Sequence, residues 1–197
     1  SLEFADFYEE LKAEVEDRVA SGIAAVASER CRILNDSQPP WSLLKIYRYM
    51  EQYGAVSIGS FYTFGLIGIW DITDDWSIVP PQTPQQKGIE IKTREQALRV
   101  LADWELRRIT WLPFYGAQLK NKIMVKMAQD WQANGAIIHL NRGCEGTALS
   151  QMENRMDLIK AGIPVLTFEG NMGDFREFDL ARTISRIETF FESLGVE

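Results

Sequence analysis

The run Ala136-Ile137-Ile138-His139-Leu140, continued by Asn141-Arg142-Gly143-Cys144-Glu145-Gly146, constrains this chain more than any other stretch. A short apolar run with Asn134-Gly135 before it and glycines at 143 and 146 behind it has the length and edges of a buried parallel strand. Those two glycines let the backbone turn sharply and approach a ligand closely. Cys144 therefore falls at the carboxyl end of a strand, with a helix opening just behind it. Open α/β sheets bind ligands at that edge, and a thiol near a helix N-terminus is biased toward thiolate.

The remaining segments fit the same plan. Phe4, Phe7, Leu11, Val15, Val19, Ile23 and Val26 recur at helical spacing among acidic residues, so residues 1–30 read as an amphipathic helix that packs on the domain or on a missing neighbour. Residues 31–197 read as one α/β domain, with a first strand at Cys31–Asp36, a helix over Trp41–Tyr53 and a second strand at Ala55–Ser60. Phe61 to Pro84 reads as a long aromatic loop, and 61–134 as a loop and helical insertion. Within it Thr93-Arg94-Glu95-Gln96 is a capping box for a helix with Ala97, Leu98, Leu101 and Trp104 on one face, and Pro113 breaks the chain before another helix. Leu149, Met152, Met156 and Ile159 mark a helix whose methionines are expected in the core, Ile163–Phe168 a fourth strand, and Leu180 to Leu194 the last helix. The expected fold is a Rossmann- or flavodoxin-like parallel sheet of about four strands with helices on both faces.

Three strand ends then supply polar turns: Asn35-Asp36-Ser37-Gln38, His139 to Gly146, and Glu169 to Asp174. A net charge of −7 argues against a nucleic-acid groove or a polybasic membrane patch, and no apolar run is long enough to span a bilayer. Two cysteines cannot frame a disulfide-rich fold, so a reducing cytoplasm is the expected location. There is neither a G-x-G-x-x-G nor a Walker A loop, and one histidine with two cysteines cannot close a metal site alone. The chain opens Ser1-Leu2 and is expected to be the C-terminal part of a longer subunit.

The stretch His139 to Gly146, with Gln151-Met152-Glu153, Phe168-Glu169-Gly170-Asn171-Met172-Gly173-Asp174 and Arg176-Glu177-Phe178-Asp179, resembles the C-terminal part of the benzoyl-CoA reductase and (R)-2-hydroxyacyl-CoA dehydratase family. The Glu169 to Asp174 turn tilts the resemblance toward the reductase branch. The resemblance implies an oxidoreductase complex in which two related subunits bind acyl-CoA, a 4Fe-4S cluster is held through three cysteines, and an ATP-dependent iron-sulfur activator delivers low-potential electrons. It implies reduction of the aromatic ring of an acyl-CoA, with dehydration of a 2-hydroxyacyl-CoA as the alternative. Carried over residue by residue, Cys144 alone matches a cluster ligand; the others would lie in an upstream domain, leaving this fragment without its cluster and inactive by itself. Backbone N–H groups from Gly143 to Thr147 are expected to stabilise the Cys144 sulfur.

Each residue also has a plainer reading. Cys31 is expected to be structural. His139 is either a satisfied core histidine or a proton donor to the bound thioester. Arg142 pairs with Glu145 or Glu169, or binds a substrate phosphate or tunes the cluster field. Asn171 binds substrate or, like Asp174, shapes a turn. A reading of another class makes the chain a non-catalytic subunit-interaction module with the Phe61–Trp76 loop as its contact.

Overall fold

The computed structural model describes residues 2–36, 38–109 and 116–196. Ser1, Ser37 and Pro113, where the sequence reading puts the chain start, part of a polar turn and a helix break, lie outside the described residues. Four parallel strands, β1 (Cys31–Asp36), β2 (Ala55–Ser60), β5 (Gly135–Asn141) and β6 (Val165–Gly170), lie in the order β2-β1-β5-β6. This is the expected doubly wound sheet: the chain steps outward from β1 to β2, then returns to the other side of β1. The point of reversal lies between β1 and β5, whose registers pair Leu34 with Ala136 and Asp36 with Ile138.

Helices cover both faces. On one, α2 (Lys45–Glu51) and the C-terminal helix α8 (Leu180–Ser193) bury Ile46, Met50, Ile187 and Phe191 against Ile33, Ile137 and Phe168. On the other, α3 (Phe61–Ile67), α5 (Ala117–Asp130) and α7 (Gln151–Lys160) bury Phe61, Ile123, Met127 and Leu158 against Leu34, Ala136 and Ile138. Alternate residues of β1 thus feed opposite cores, as the two-residue period of a strand requires.

Several expectations are corrected here. Phe61 to Pro84 is not a plain loop: Ser60 caps α3 by accepting from the Thr63 N–H at 3.0 Å, and a hairpin, β3 (Asp71–Ile72) with β4 (Ile78–Val79), follows. The β-branched and aromatic residues of α3 hid a helix that is stabilised by its cap and by burial of Phe61. The capping box at Thr93 does open α4 (Arg94–Leu106), but α4 buries no residue, and Leu98 and Leu101 stay exposed. The N-terminal helix α1 (Leu2–Ala20) likewise leaves Phe4, Phe7, Leu11 and Val15 exposed, so it does not pack on the sheet. The fourth strand starts two residues later than expected, because Pro164 donates nothing and serves through its carbonyl, which accepts the Ala136 N–H at 2.9 Å.

The largest departure is in α7. Met152 and Met156 are 54% and 47% exposed, and its inward residues are Gln151, Asn154 and Leu158. The polar pair faces in because buried polar groups wait there: Gln151 donates to the His139 carbonyl at 2.8 Å and Asn154 to the Asp36 carboxylate at 2.9 Å. No helix among the described residues is long and apolar enough to cross a membrane.

One charged pair is sealed inside. Lys120 of α5 and Asp36 at the end of β1 meet at 2.7 Å, each side chain 1% exposed. Lys120 also donates to the Leu149 carbonyl at 3.3 Å and lies over the Phe61 ring. Removing one member strands the other charge in the core, so Lys120→Met should cost about 3–5 kcal/mol. In urea denaturation the double variant Lys120→Met/Asp36→Leu should recover a large part of that loss.

Candidate functional site at the carboxyl ends of β1 and β5

The candidate site is built where the sheet reverses direction. β5 ends at Asn141, the chain turns through Arg142 and Gly143, and Cys144 precedes a one-turn helix, α6 (Glu145–Ala148). Across the crevice, β1 runs into Gln38 and the prolines at 39 and 40. Ser150, between α6 and α7, holds the left-handed conformation with φ 60, an unusual backbone for a residue with a side chain.

Gln38 spans the two strand ends. Its main-chain carbonyl accepts from His139 Nδ1 at 3.0 Å, its side-chain Oε1 accepts from Asn141 Nδ2 at 2.9 Å, and its Nε2 lies 3.7 Å from Cys144 Sγ. Asn141 in turn accepts the Gly143 N–H at 2.9 Å, which folds the turn back on its own strand. Cys144 is partly exposed. Hydrogen bonding from the side chain and then the backbone of Thr147 holds this thiol below its ordinary value; burial opposes it, and the Gly146 N–H and the Gln38 amide add smaller effects in the same direction as Thr147. Donors aimed at sulfur favour the thiolate, the form that binds metals and attacks electrophiles.

His139 belongs to the interior. It is 2% exposed, with its ring stacked on Phe168 at 5.2 Å between centroids and Phe178 at 6.1 Å. A carbonyl can only accept, so the contact with Gln38 puts the proton on Nδ1. Nε2 is buried without a hydrogen-bond partner among the described residues. Burial lowers the pKa of the ring, with the carbonyls of Gln38 and Gly170 working in the other direction.

The rim is polar and open. Arg142 pairs with Glu169 at 3.0 Å, both well exposed, and its N–H donates to the Gly170 carbonyl. Asn171 accepts the Gly173 N–H at 3.0 Å, and a Cβ on Gly143 would stand 3.2 Å from its Oδ1, so Asn171 borders the Cys144 turn. Asp174 is occupied by Arg176. A pocket of about 360 Å³ opens beside the turn, lined by Asn141, Arg142, Ala148, Ser150, Gln151 and Glu169 among others. The structure thus gathers Arg142, Cys144 and Asn171 around one turn and sets His139 beneath it. Cys31 is at the opposite end of β1, where burial pushes its thiol up to about 11.

A model of the 2-hydroxyglutaryl-CoA dehydratase D-component family matches residues 1–194. The chain belongs to this family. No curated protein matches it. Membership makes the chain a dehydratase-type subunit of the wider family of (R)-2-hydroxyacyl-CoA dehydratases and benzoyl-CoA reductases, and so part of an enzyme with more than one component.

Sequence reasoning placed Gln38 in a polar turn, Thr147 among the backbone donors to Cys144, and Gln151 and Gly170 in the resemblance, but it missed the side-chain contacts that Gln38 and Gln151 make in this D-component-family site. Gln38 stood among turn residues, with no local pattern tying it to a turn about a hundred positions later. Gly170 carries a steric signal: a Cβ there would stand 2.5 Å from the Phe178 ring. Gly170→Ala should therefore displace Phe178 and destabilise the fold by about 1–3 kcal/mol, read as a lowered melting midpoint.

His139 gives the site a pH signature. Its folded pKa is depressed below 6.5, so the unfolded chain takes up the proton first as pH falls. Its contribution is complete above about pH 6.5 and declines as pH falls toward the folded value. The urea midpoint should drop as pH is lowered below about 6.5, and His139→Phe should flatten that slope, since the sequence holds no other histidine.

Proposed function

We propose that this chain is the part of an acyl-CoA dehydratase-type component that supplies Cys144 as one thiolate ligand of a 4Fe-4S cluster. The observation that carries the reading is the Gln38 amide 3.7 Å from a partly exposed thiol at the sheet's switch point, a thiol that hydrogen bonding from Thr147 also holds below its ordinary value. Hydrogen bonds to a ligating sulfur are a known control of cluster potential. The donor set fits one ligand position. Among the described residues no group of three or more His, Cys, Asp or Glu side chains could hold a metal ion, and Cys31 lies at the far end of its strand. The remaining ligands must come from outside these residues.

When bound, such a cluster supplies electrons at low potential. The chain's own residues hold and surround it. Thr147 and Gly146 favour negative charge on the Cys144 sulfur, and Arg142 places a cation at the pocket rim for a thioester or phosphate oxygen, which requires releasing Glu169. Asn171 offers an amide on the other side of the turn. The buried, stacked ring supports a positioning role for His139, exerted through the Gln38 carbonyl, in place of direct proton donation. A homologous subunit and an ATP-dependent activator complete the proposed assembly.

The family match favours elimination of water from a 2-hydroxyacyl-CoA. Reduction of an aromatic acyl-CoA ring is the second reading, favoured by the Phe168 to Asp174 turn sequence. The two differ in electron balance: dehydration leaves the substrate's oxidation level unchanged and returns the electron, whereas ring reduction consumes an electron pair with every turnover. Reductant consumed per product, measured with both thioester classes on the assembled enzyme, separates them.

The first test is iron and acid-labile sulfide content, with an EPR spectrum, of the anaerobically purified component with its partner. Cys144→Ser should lose one cluster's iron and its signal. Unchanged iron and spectrum would overturn the ligand assignment and leave the subunit-interaction reading in front.

A further inference from the structure

The polarity of the hydrogen bonds around Cys144 is fixed by one group that has no choice. The Gly143 N–H can only donate, so Asn141 must present Oδ1 to it, at 2.9 Å. Asn141 Nδ2 is then the donor toward Gln38, at 2.9 Å, and Gln38 must present Oε1 to receive it. That leaves Gln38 Nε2 facing Cys144 Sγ at 3.7 Å, as a donor. A second constraint pins the same residue: the Gln38 carbonyl accepts from His139 Nδ1 at 3.0 Å. His139 is itself immobilised by Phe168 and Phe178. Amide orientation, ordinarily ambiguous between oxygen and nitrogen, follows here from the chain of partners.

We propose that Gln38 is a positioning residue for Cys144, its side-chain NH₂ held on the sulfur by a one-way relay that starts at the Gly143 N–H and passes through Asn141. The inference rests on the reading of Cys144 as the functional thiol. The relay ties the orientation of the donor to the fold of the turn carrying the sulfur, so the turn aims its own hydrogen bond across the crevice from β5 to β1. The Gln38 NH₂ offers the sulfur a donor, and no acceptor, on the β1 side of the crevice. In the loaded enzyme its removal should shift the cluster potential to more negative values, because a donor to ligating sulfur stabilises the reduced, more negative state.

The test uses the iron-free chain and iodoacetamide, with peptide mass spectrometry resolving Cys144 from Cys31. Cys31 is buried and serves as the folding control. At neutral pH, Gln38→Glu, which keeps the shape but cannot donate, should slow Cys144 alkylation about tenfold, and the uncharged Gln38→Leu about threefold. Asn141→Asp still accepts the Gly143 N–H but presents an acceptor to Gln38, which turns the amide so that Oε1 faces Cys144, and should slow alkylation about threefold as well. Unchanged rates for the Gln38 variants with Cys31 still protected would overturn the proposal. Slowing by those variants alone, with Asn141→Asp at the wild-type rate, would overturn the relay. Should a Gln38 variant expose Cys31, Asn141→Asp decides by the same criterion. Slow alkylation in the iron-free chain together with unchanged iron in Cys144→Ser would sustain this proposal while the cluster reading fell.

Discussion

The buried ion pair between Lys120 and Asp36 is the constraint on which the site's surroundings depend. Two charges out of water are costly unless each is paired and hydrogen-bonded, and here the pairing recruits three elements. Asp36 ends β1, Lys120 comes from α5, and Asn154 of α7 donates to the same carboxylate. Lys120 also reaches the Leu149 carbonyl, between α6 and α7. The segment that follows Cys144 is therefore fastened to the end of β1 by the same ammonium that neutralises Asp36. An apolar pair could have filled this space, but it could not have fixed the direction of the chain leaving the Cys144 turn.

Gln38 does on the crevice side what Lys120 does beneath it. Each joins the end of β1 to the chain around Cys144 through more than one contact, and each uses side-chain polarity that a hydrophobic contact lacks. The site thus sits between two polar fasteners, with Thr147 and Gly146 completing the donors around the sulfur. Functional sites built on strand ends gain precision when the supporting shell is itself hydrogen-bonded. That supporting shell is also where a sequence gives least warning, because the partners are far apart in the chain.

Strands β1, β2 and β5 were legible because an apolar run closed by polar or glycine residues has few other destinations, and Cys144 was legible because it stands directly on such a closure. The last helix was legible from its period: Ile187 and Phe191 point inward as spaced. α3 was not, since its aromatic and β-branched residues favour extended structure and its formation depends on the Ser60 cap and on a pocket for Phe61. The methionines of α7 misled for a related reason. Hydrophobic spacing predicts burial only when the opposing surface is apolar, and α7 faces the Asp36 carboxylate and the His139 carbonyl. Gln38 was legible as a member of a polar turn but not as the partner of Cys144.

The exposed apolar face of α7 follows from that same demand. A helix of ten residues offers about three turns. Gln151, Asn154 and Leu158 claim its inner face, the first two to hydrogen-bond the His139 carbonyl and the Asp36 carboxylate. Met152, Met156 and Ile159 are left on the outside by helical geometry, whatever their own preference for burial. What α7 adds to the Lys120–Asp36 pair is one hydrogen bond, from Asn154 to the buried carboxylate, and a hydrogen bond to a charged group is worth about 1.5–3 kcal/mol. The surface hydrophobicity of this helix is thus the geometric counterpart of the two hydrogen bonds its inner face makes to the end of β1 and to β5.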